Sequence, residues 1–232
     1  PRVMTVATTD SGGGAGVLAD AKAIVRAGGF PLCALAAVTA QSTVAVDAVA
    51  ALDPAVLRAQ VATTAADIGL DGVKTGMLAT PELVATAAEA LAALDPSEEV
   101  PVVVDPVLRA ESGASLMAAG GEEAYRRALL PLATVATPNL LEAQALAGID
   151  ADDPALLART LHERHGCAVI VTGGHGRSAA DTLCDDEGLV EVPGVRLPRP
   201  TTHGAGCTHS STLATLLAAG VPLREAAARA KR

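Results

Sequence analysis

Near the C-terminal end, Thr201-Thr202-His203-Gly204-Ala205-Gly206-Cys207-Thr208-His209-Ser210-Ser211 joins small residues, hydroxyls and a thiol in one run. Gly204, Ala205 and Gly206 let a backbone turn sharply, and the unbroken stretch from Thr208 to Ala219 predicts a buried helix directly after them. A glycine turn feeding a helix start leaves N–H groups without intrahelical partners, and the macrodipole adds roughly half a positive charge there. Such an end suits a phosphate or a developing phosphoryl group. A thiol at a helix N-terminus, where Cys207 stands, has its pKa drawn from about 8.5 into the range of about 3.5–7.5, making it a base or nucleophile at neutral pH. The same residues fit a glycine turn with a small packed cysteine, so the run alone leaves both readings open.

Other residues have chemistry and a plainer alternative. Asn139 and Glu142 have the spacing of a helix capping pair. Asp105 ends an all-valine run before Pro106, where aspartate forms strand-end turns. Asp10 precedes Gly12-Gly13-Gly14 and is placed to cap that turn.

The elements that must position these residues read as an alternation. Val3 to Thr8 predicts a buried strand, Ala15 to Ala27 a helix with Val17, Ile24 and Val25 inward, and Leu32 to Val38 a second buried strand. Val44 to Ala50 predicts a strand outside the main sheet. Helices over 54–67, 81–94, 121–130, from Asn139 and over 154–165 then alternate with strands at 72–75, 100–105, 135–137 and 168–172. A hairpin crosses Asp185-Asp186-Glu187-Gly188, and helices after Cys207 and from Pro222 close the chain. Apolar strands alternating with amphipathic helices predict an α/β fold with a mainly parallel sheet covered on both faces. Ligands bind such sheets outside the carboxyl ends of the strands, and Asp10, Gln41, Met77, Asp105, Asn139 and Gly173 each follow a predicted strand.

Composition narrows the partners. The chain has 232 residues, 50% apolar and 19% charged, enough to bury a core as one domain over 1–232. Phe30 and Tyr125 are the only aromatics and the net charge is −9, which argues against nucleic acid as a partner. Cys33, Cys167, Cys184 and Cys207 show no paired spacing, so a reduced, cytoplasmic protein is expected. No signal peptide precedes Arg2, and no apolar run approaches the roughly 20 residues of a membrane span, so no membrane partner is expected.

Thr202-His203-Gly204-Ala205-Gly206-Cys207-Thr208 resembles the anion-hole motif of the ribokinase-like superfamily, in the Cys-bearing form of the hydroxymethylpyrimidine/phosphomethylpyrimidine kinases of thiamine biosynthesis. Matches in the same order occur at Asp10-Ser11-Gly12-Gly13-Gly14-Ala15-Gly16, Thr39-Ala40-Gln41-Ser42-Thr43, Lys74-Thr75-Gly76-Met77-Leu78, Val104-Asp105-Pro106-Val107, Thr137-Pro138-Asn139-Leu140-Leu141-Glu142-Ala143 and Gly173-Gly174-His175. The resemblance implies a ribokinase-like three-layer α/β/α fold, commonly dimeric. It implies transfer of the ATP γ-phosphoryl to 4-amino-5-hydroxymethyl-2-methylpyrimidine and then to its monophosphate, with Mg²⁺. Cys207 would take the acceptor proton while the amides of Gly204, Ala205, Gly206 and Cys207 hold the phosphoryl oxygens.

The resemblance further implies that Gln41 binds the aminopyrimidine edge, with Met77, Val107 and Gly12 walling the flat ring and Asp10 either bonding the ring or capping its own turn. Asn139, Thr172 and Gly174 fall on the nucleotide side, and Glu142 and Asp105 on the metal. The chain departs from the family pattern at Thr172 in place of Lys, Leu18 in place of Gln, Glu111, and Arg199-Pro200-Thr201 before the anion hole. The family's last helix also normally continues beyond Arg232, so trimmed ends are expected. A pyridoxal kinase of the same superfamily is the nearest rival. A Cys-His hydrolase using Cys207 with His203 or His209, and a non-catalytic pyrimidine-binding module, are the alternatives of other classes. His203 and His209 read as structural in the kinase case.

Overall fold

The computed structural model describes residues 1–94, 100–108, 117–173, 179–195 and 203–231. Its centre is an eight-stranded sheet built from β1 (Arg2–Ala7), β2 (Phe30–Leu35), β5 (Gly72–Thr75), β6 (Val102–Val104), β7 (Val135–Ala136), β8 (Ala168–Val171), β9 (Asp181–Asp185) and β10 (Gly188–Val192). The order is β10-β9-β8-β7-β6-β5-β1-β2, parallel from β2 to β8, with β9 and β10 added antiparallel at one edge. A separate antiparallel ribbon pairs β3 (Ala37–Gln41) with β4 (Val46–Ala51).

Strand periodicity sends alternate residues to opposite faces, and both faces are apolar. Val3, Val103, Val135 and Ile170 pack under α1 (Gly16–Arg26), α7 (Ala205–Ala218) and α8 (Leu223–Ala230). Met4, Val104, Ala136 and Val169 pack under α2 (Pro54–Ile68), α3 (Pro81–Ala92), the short α4 (Gly121–Ala124), α5 (Leu140–Ala147) and α6 (Pro154–His165). The result is the three-layer α/β/α arrangement that the alternation implies. Each fully buried Val, Leu or Ile contributes about 1.5–3 kcal/mol, and these residues replace the aromatics that the chain lacks. Tyr125 is buried in this core and donates to Gly76 O at 3.1 Å.

Helix starts are written locally. Asp53, Thr80 and Asp153 each cap a helix whose first turn carries Pro54, Pro81 or Pro154. Three expectations change. The stretch 32–38 is not one strand: Ala36 N donates to Ala7 O while Ala36 O accepts from Leu52 N, so the chain leaves the main sheet there and β3 begins the ribbon. Val25 is 60% exposed rather than inward. Beyond α4 the helix widens into a π turn at Tyr125–Leu129 and tightens at Leu130–Leu132, where Pro131 cannot donate a helical bond. The expected strand at Val44 to Ala50 is present as β4, outside the main sheet. Among the described residues no helix is long and apolar enough to cross a membrane.

Candidate active site

The helix expected after Cys207 starts earlier, at Ala205, so Cys207 lies in the first turn of α7. Gly204 is the N-cap at φ 79°, a left-handed conformation that favours glycine, and no side chain caps the end. A Cβ on Gly204 would stand 1.7 Å from Gly14 O, so the turn is pressed backbone to backbone against the N-terminal glycine loop. Ala205 and Gly206 are exposed, and the first-turn amides present bare donors at the positive end of the helix.

Asp10 braces that loop. Its Oδ1 accepts from Gly12 N at 2.8 Å, and its Oδ2 accepts from Ala15 N at 2.8 Å, Gly14 N at 3.0 Å and His203 Nε2 at 2.9 Å. Burial pushes the carboxyl up, but the His203 bond and the three amides outweigh it and hold Asp10 below the usual range. Asp10 is 0% exposed and its bonds to Gly12, Gly14 and Ala15 are those of the capping role. His203, on the turn, is the clamp from the other side.

Cys207 departs from expectation in its ionisation. Burial pushes the thiol up to about 12; Lys74 and the Gly16 amide pull it down, while Asp20 and Asp105 push it further up. Desolvation of the sulfur therefore opposes the helix terminus, although Cys207 as a residue is only half-buried. A Cys-His nucleophile is also unsupported: His203 Nε2 is spent on Asp10, and His209 Nε2 faces Asp181 Oδ2 at 3.6 Å.

Beneath the turn lies a buried ion pair to which the sequence gives no role: Lys74 opens one of the quoted motifs, and Asp20 falls in none. Lys74 Nζ bonds both oxygens of Asp20 at 2.9 Å, and both side chains are 0% exposed. The signal was present in the sequence. Lys74 interrupts an apolar strand, and Asp20 falls between Val17 and Ile24 on the inward stripe of α1. Beside it, Asp105 accepts from Ser210 Oγ at 3.0 Å. Burial pushes Asp105 up, Lys74 and Ser210 pull it down, and Asp20 raises it again.

Asn139 and Glu142 do form the capping box. Glu142 N donates to Asn139 Oδ1 at 3.0 Å, and Asn139 N donates to Glu142 Oε2 at 2.9 Å. Glu142 Oε1 also accepts from Leu108 N at 3.3 Å. Burial and then the neighbouring Asp105 push Glu142 up to about 8. A buried Glu142 pushed up by a second buried carboxylate, Asp105, fits a divalent cation, because a metal bound there would offset that repulsion. Among the described residues no group of three or more His, Cys, Asp or Glu is arranged to hold a metal. The pair therefore suits Mg²⁺, which takes one or two carboxylates and completes its shell with phosphates and water. Thr172 stands beside Asn139 in an isolated parallel bridge, with its N–H donating to Pro138 O at 2.9 Å.

On the opposite side, Gln41 ends β3 rather than a strand of the main sheet, and bonds to the glycine loop carry it to the same edge. Its O accepts from Gly12 N at 3.1 Å and Ser11 Oγ at 2.8 Å, and its N donates to Ser11 Oγ at 2.8 Å. Among the described residues its side-chain Oε1 accepts only a long 3.3 Å bond from Thr39 Oγ1. Met77 forms a small apolar cluster with Ala37 and Ala79, against which Val46 and Val107 pack. The expected positions Gly174, Glu111 and 199–202 lie outside the described residues.

A doubly covered, mostly parallel sheet with an uncapped glycine-turned helix start at the carboxyl edge of its strands is a ribokinase-like α/β fold. The family model described as phosphomethylpyrimidine kinase matches residues 10–232, and the chain belongs to that family. The hydroxymethylpyrimidine/phosphomethylpyrimidine kinase of Streptomyces coelicolor is 42% identical over 99% of this chain and 86% of its own length. The thiamine biosynthesis bifunctional protein ThiED of Geobacter sulfurreducens is 40% identical over 99% of this chain, which spans 47% of that relative's length. Among solved structures, the Bacillus subtilis pyridoxal kinase in complex with ADP superposes with a TM-score of 0.88 at 34% identity, covering 99% of this chain and 88% of the other.

Proposed function

We infer that the protein transfers the γ-phosphoryl group of ATP to the hydroxymethyl oxygen of 4-amino-5-hydroxymethyl-2-methylpyrimidine, and then to the phosphate of the monophosphate. Carrying this reading is the run of backbone contacts from Gln41 through Gly12 and Gly14 to Gly204, which joins a ring-reading side chain to bare helix amides. Gln41 would pair with the aminopyrimidine edge while Met77 and Val107 hold the ring faces. The amides of Gly204, Ala205, Gly206 and Cys207 would hold the phosphoryl oxygens as charge develops on them. Asn139, Thr172 and Gly174 belong to the nucleotide side.

Glu142 and Asp105 would hold Mg²⁺, which supplies charge neutralisation for the phosphates when bound. A thiol pushed up by burial is a poor waiting base. Cys207 instead acts as a relay: it takes the proton of the acceptor hydroxyl as the oxygen–phosphorus bond forms, and passes its own proton to a phosphoryl oxygen. No net proton is gained or lost at sulfur.

The structural likeness to a pyridoxal kinase favours one second reading, pyridoxal as the acceptor. A coupled ADP-release assay with the pyrimidine alcohol, its monophosphate and pyridoxal side by side separates the two. Turnover of pyridoxal alone overturns the first, and pyrimidine binding without ADP release would make the chain a binding module. The reading places one kinase domain in the cytoplasm as a homodimer, consistent with four free cysteines and checked by sedimentation of the purified chain.

A further inference from the structure

Lys74 occupies the middle of a buried strand, and Asp20 holds its ammonium by both oxygens at 2.9 Å. Asp20 also accepts from Thr5 Oγ1 of β1 at 2.5 Å and from Ser211 Oγ of α7 at 2.8 Å, so α1, β1, β5 and α7 meet at one carboxylate. Burial pushes the ammonium down, but Asp20, then Cys207 and Asp105, hold it above the usual lysine range, so it stays charged.

A buried ion pair is a poor device for stability alone. Several kcal/mol of desolvation per ion must be recovered, and apolar residues of similar volume do as well or better. The placement of this one is specific. A Cβ on Gly76 would meet Lys74 Nζ at 2.7 Å, so the side chain runs toward the carboxyl end of β5, the edge where the turn stands. The groups facing Cys207 are Lys74 from β5, Asp20 from α1 and Asp105 after β6, and the pull of Lys74 is the largest of the three. Ser211 lies one helical turn beyond Cys207, so its bond to Asp20 ties that part of α7 to the same ammonium.

We propose that Lys74 is a positioning residue for phosphoryl transfer: held by Asp20, its ammonium fixes the start of α7 over β5 and keeps a permanent positive charge beneath Cys207 and the anion-binding amides. A fixed cation in a water-excluded site acts on developing negative charge without reorganising. The inference rests on the phosphotransfer reading and assigns a role to a pair outside the substrate contacts.

The test compares wild type, K74M and the neutral pair K74M/D20N. The readouts are melting temperature, kcat and KM for ADP release with the pyrimidine alcohol, and the rate of Cys207 alkylation by iodoacetamide at one alkaline pH, resolved by peptide mass spectrometry. The neutral pair is expected to melt at or above wild type. It should lose about tenfold or more in kcat, with both KM values within about twofold. Its Cys207 should alkylate about threefold more slowly or less, because the cation favouring thiolate is gone. Wild-type kcat together with wild-type alkylation in the neutral pair would make Lys74 and Asp20 structural only and overturn the proposal. If wild type itself releases no ADP, the kinase reading fails while the alkylation comparison still decides the role of Lys74. If K74M does not fold, the neutral pair carries the decision.

Discussion

Gly14 O and Gly204 meet so closely that a single methyl on Gly204 would stand 1.7 Å from the carbonyl oxygen. Residues from the two ends of the chain thus form one surface, and Asp10 and His203 clamp it at 2.9 Å. The turn at Gly204 has no side-chain cap of its own, so its geometry comes from this contact.

Gly204→Ala should therefore damage both fold and turnover. It combines a left-handed φ with an overpacked contact, together costing about 3 kcal/mol, or about 6–12 °C in melting temperature for a chain of this size. Differential scanning calorimetry checks the first, and ADP release the second. An unchanged melting temperature would mean that the two glycine segments are not in contact.

Substitutions at Cys207 separate a relay from a thiolate base. Cys207→Ala should lower kcat by about 10²–10⁴, whereas Cys207→Ser, whose hydroxyl also relays, should lose about tenfold. Because burial pushes the thiol up to about 12, no limb from its ionisation should appear in the pH profile of kcat between about pH 6 and 9. A limb in that window that vanishes in the serine variant would restore the thiolate base.

Glu142→Gln keeps the capping hydrogen bond to Asn139 but removes a buried negative charge. The fold should survive with its melting temperature retained, while the Mg²⁺ concentration for half-maximal activity rises about tenfold or more. Titrating Mg²⁺ at saturating ATP reads this directly. An unchanged Mg²⁺ dependence would confine Glu142 to helix capping.

Away from the site, Arg2 grips Asp71 through its Nε at 2.9 Å and its backbone N at 2.6 Å. These bonds hold the Asp71 carboxyl at about 2, below its ordinary 3.8. A carboxylate with a depressed folded pKa adds stability that is complete above the unfolded value and is lost as pH falls through the folded one. Asp71→Asn should thus melt below wild type at pH 6, with the gap closing between about pH 4 and pH 2. A gap independent of pH would show that charge is not the source.

Much of this arrangement was legible in the sequence because its causes are local. The bounds of β5 and α6, the capping of α5 by Asn139, and the order of the glycine motifs depend on residues within a few positions of one another. The break between β2 and β3 did not show, because Ala36 reads as one more strand residue until Ala7 and Leu52 take its two hydrogen bonds. By itself the sequence determined the alternation that builds the layers and the side of the sheet on which the motifs fall, since strand and helix periodicities are written in neighbouring residues. Only the tertiary structure decided that Asp10 caps the loop, that Lys74 is sealed beneath the turn, and that the surroundings of the Cys207 thiol push it up rather than down. Those properties come from desolvation and from charges brought by α1, β5 and β6, and neither the burial nor the distances exist until the chain has closed on itself.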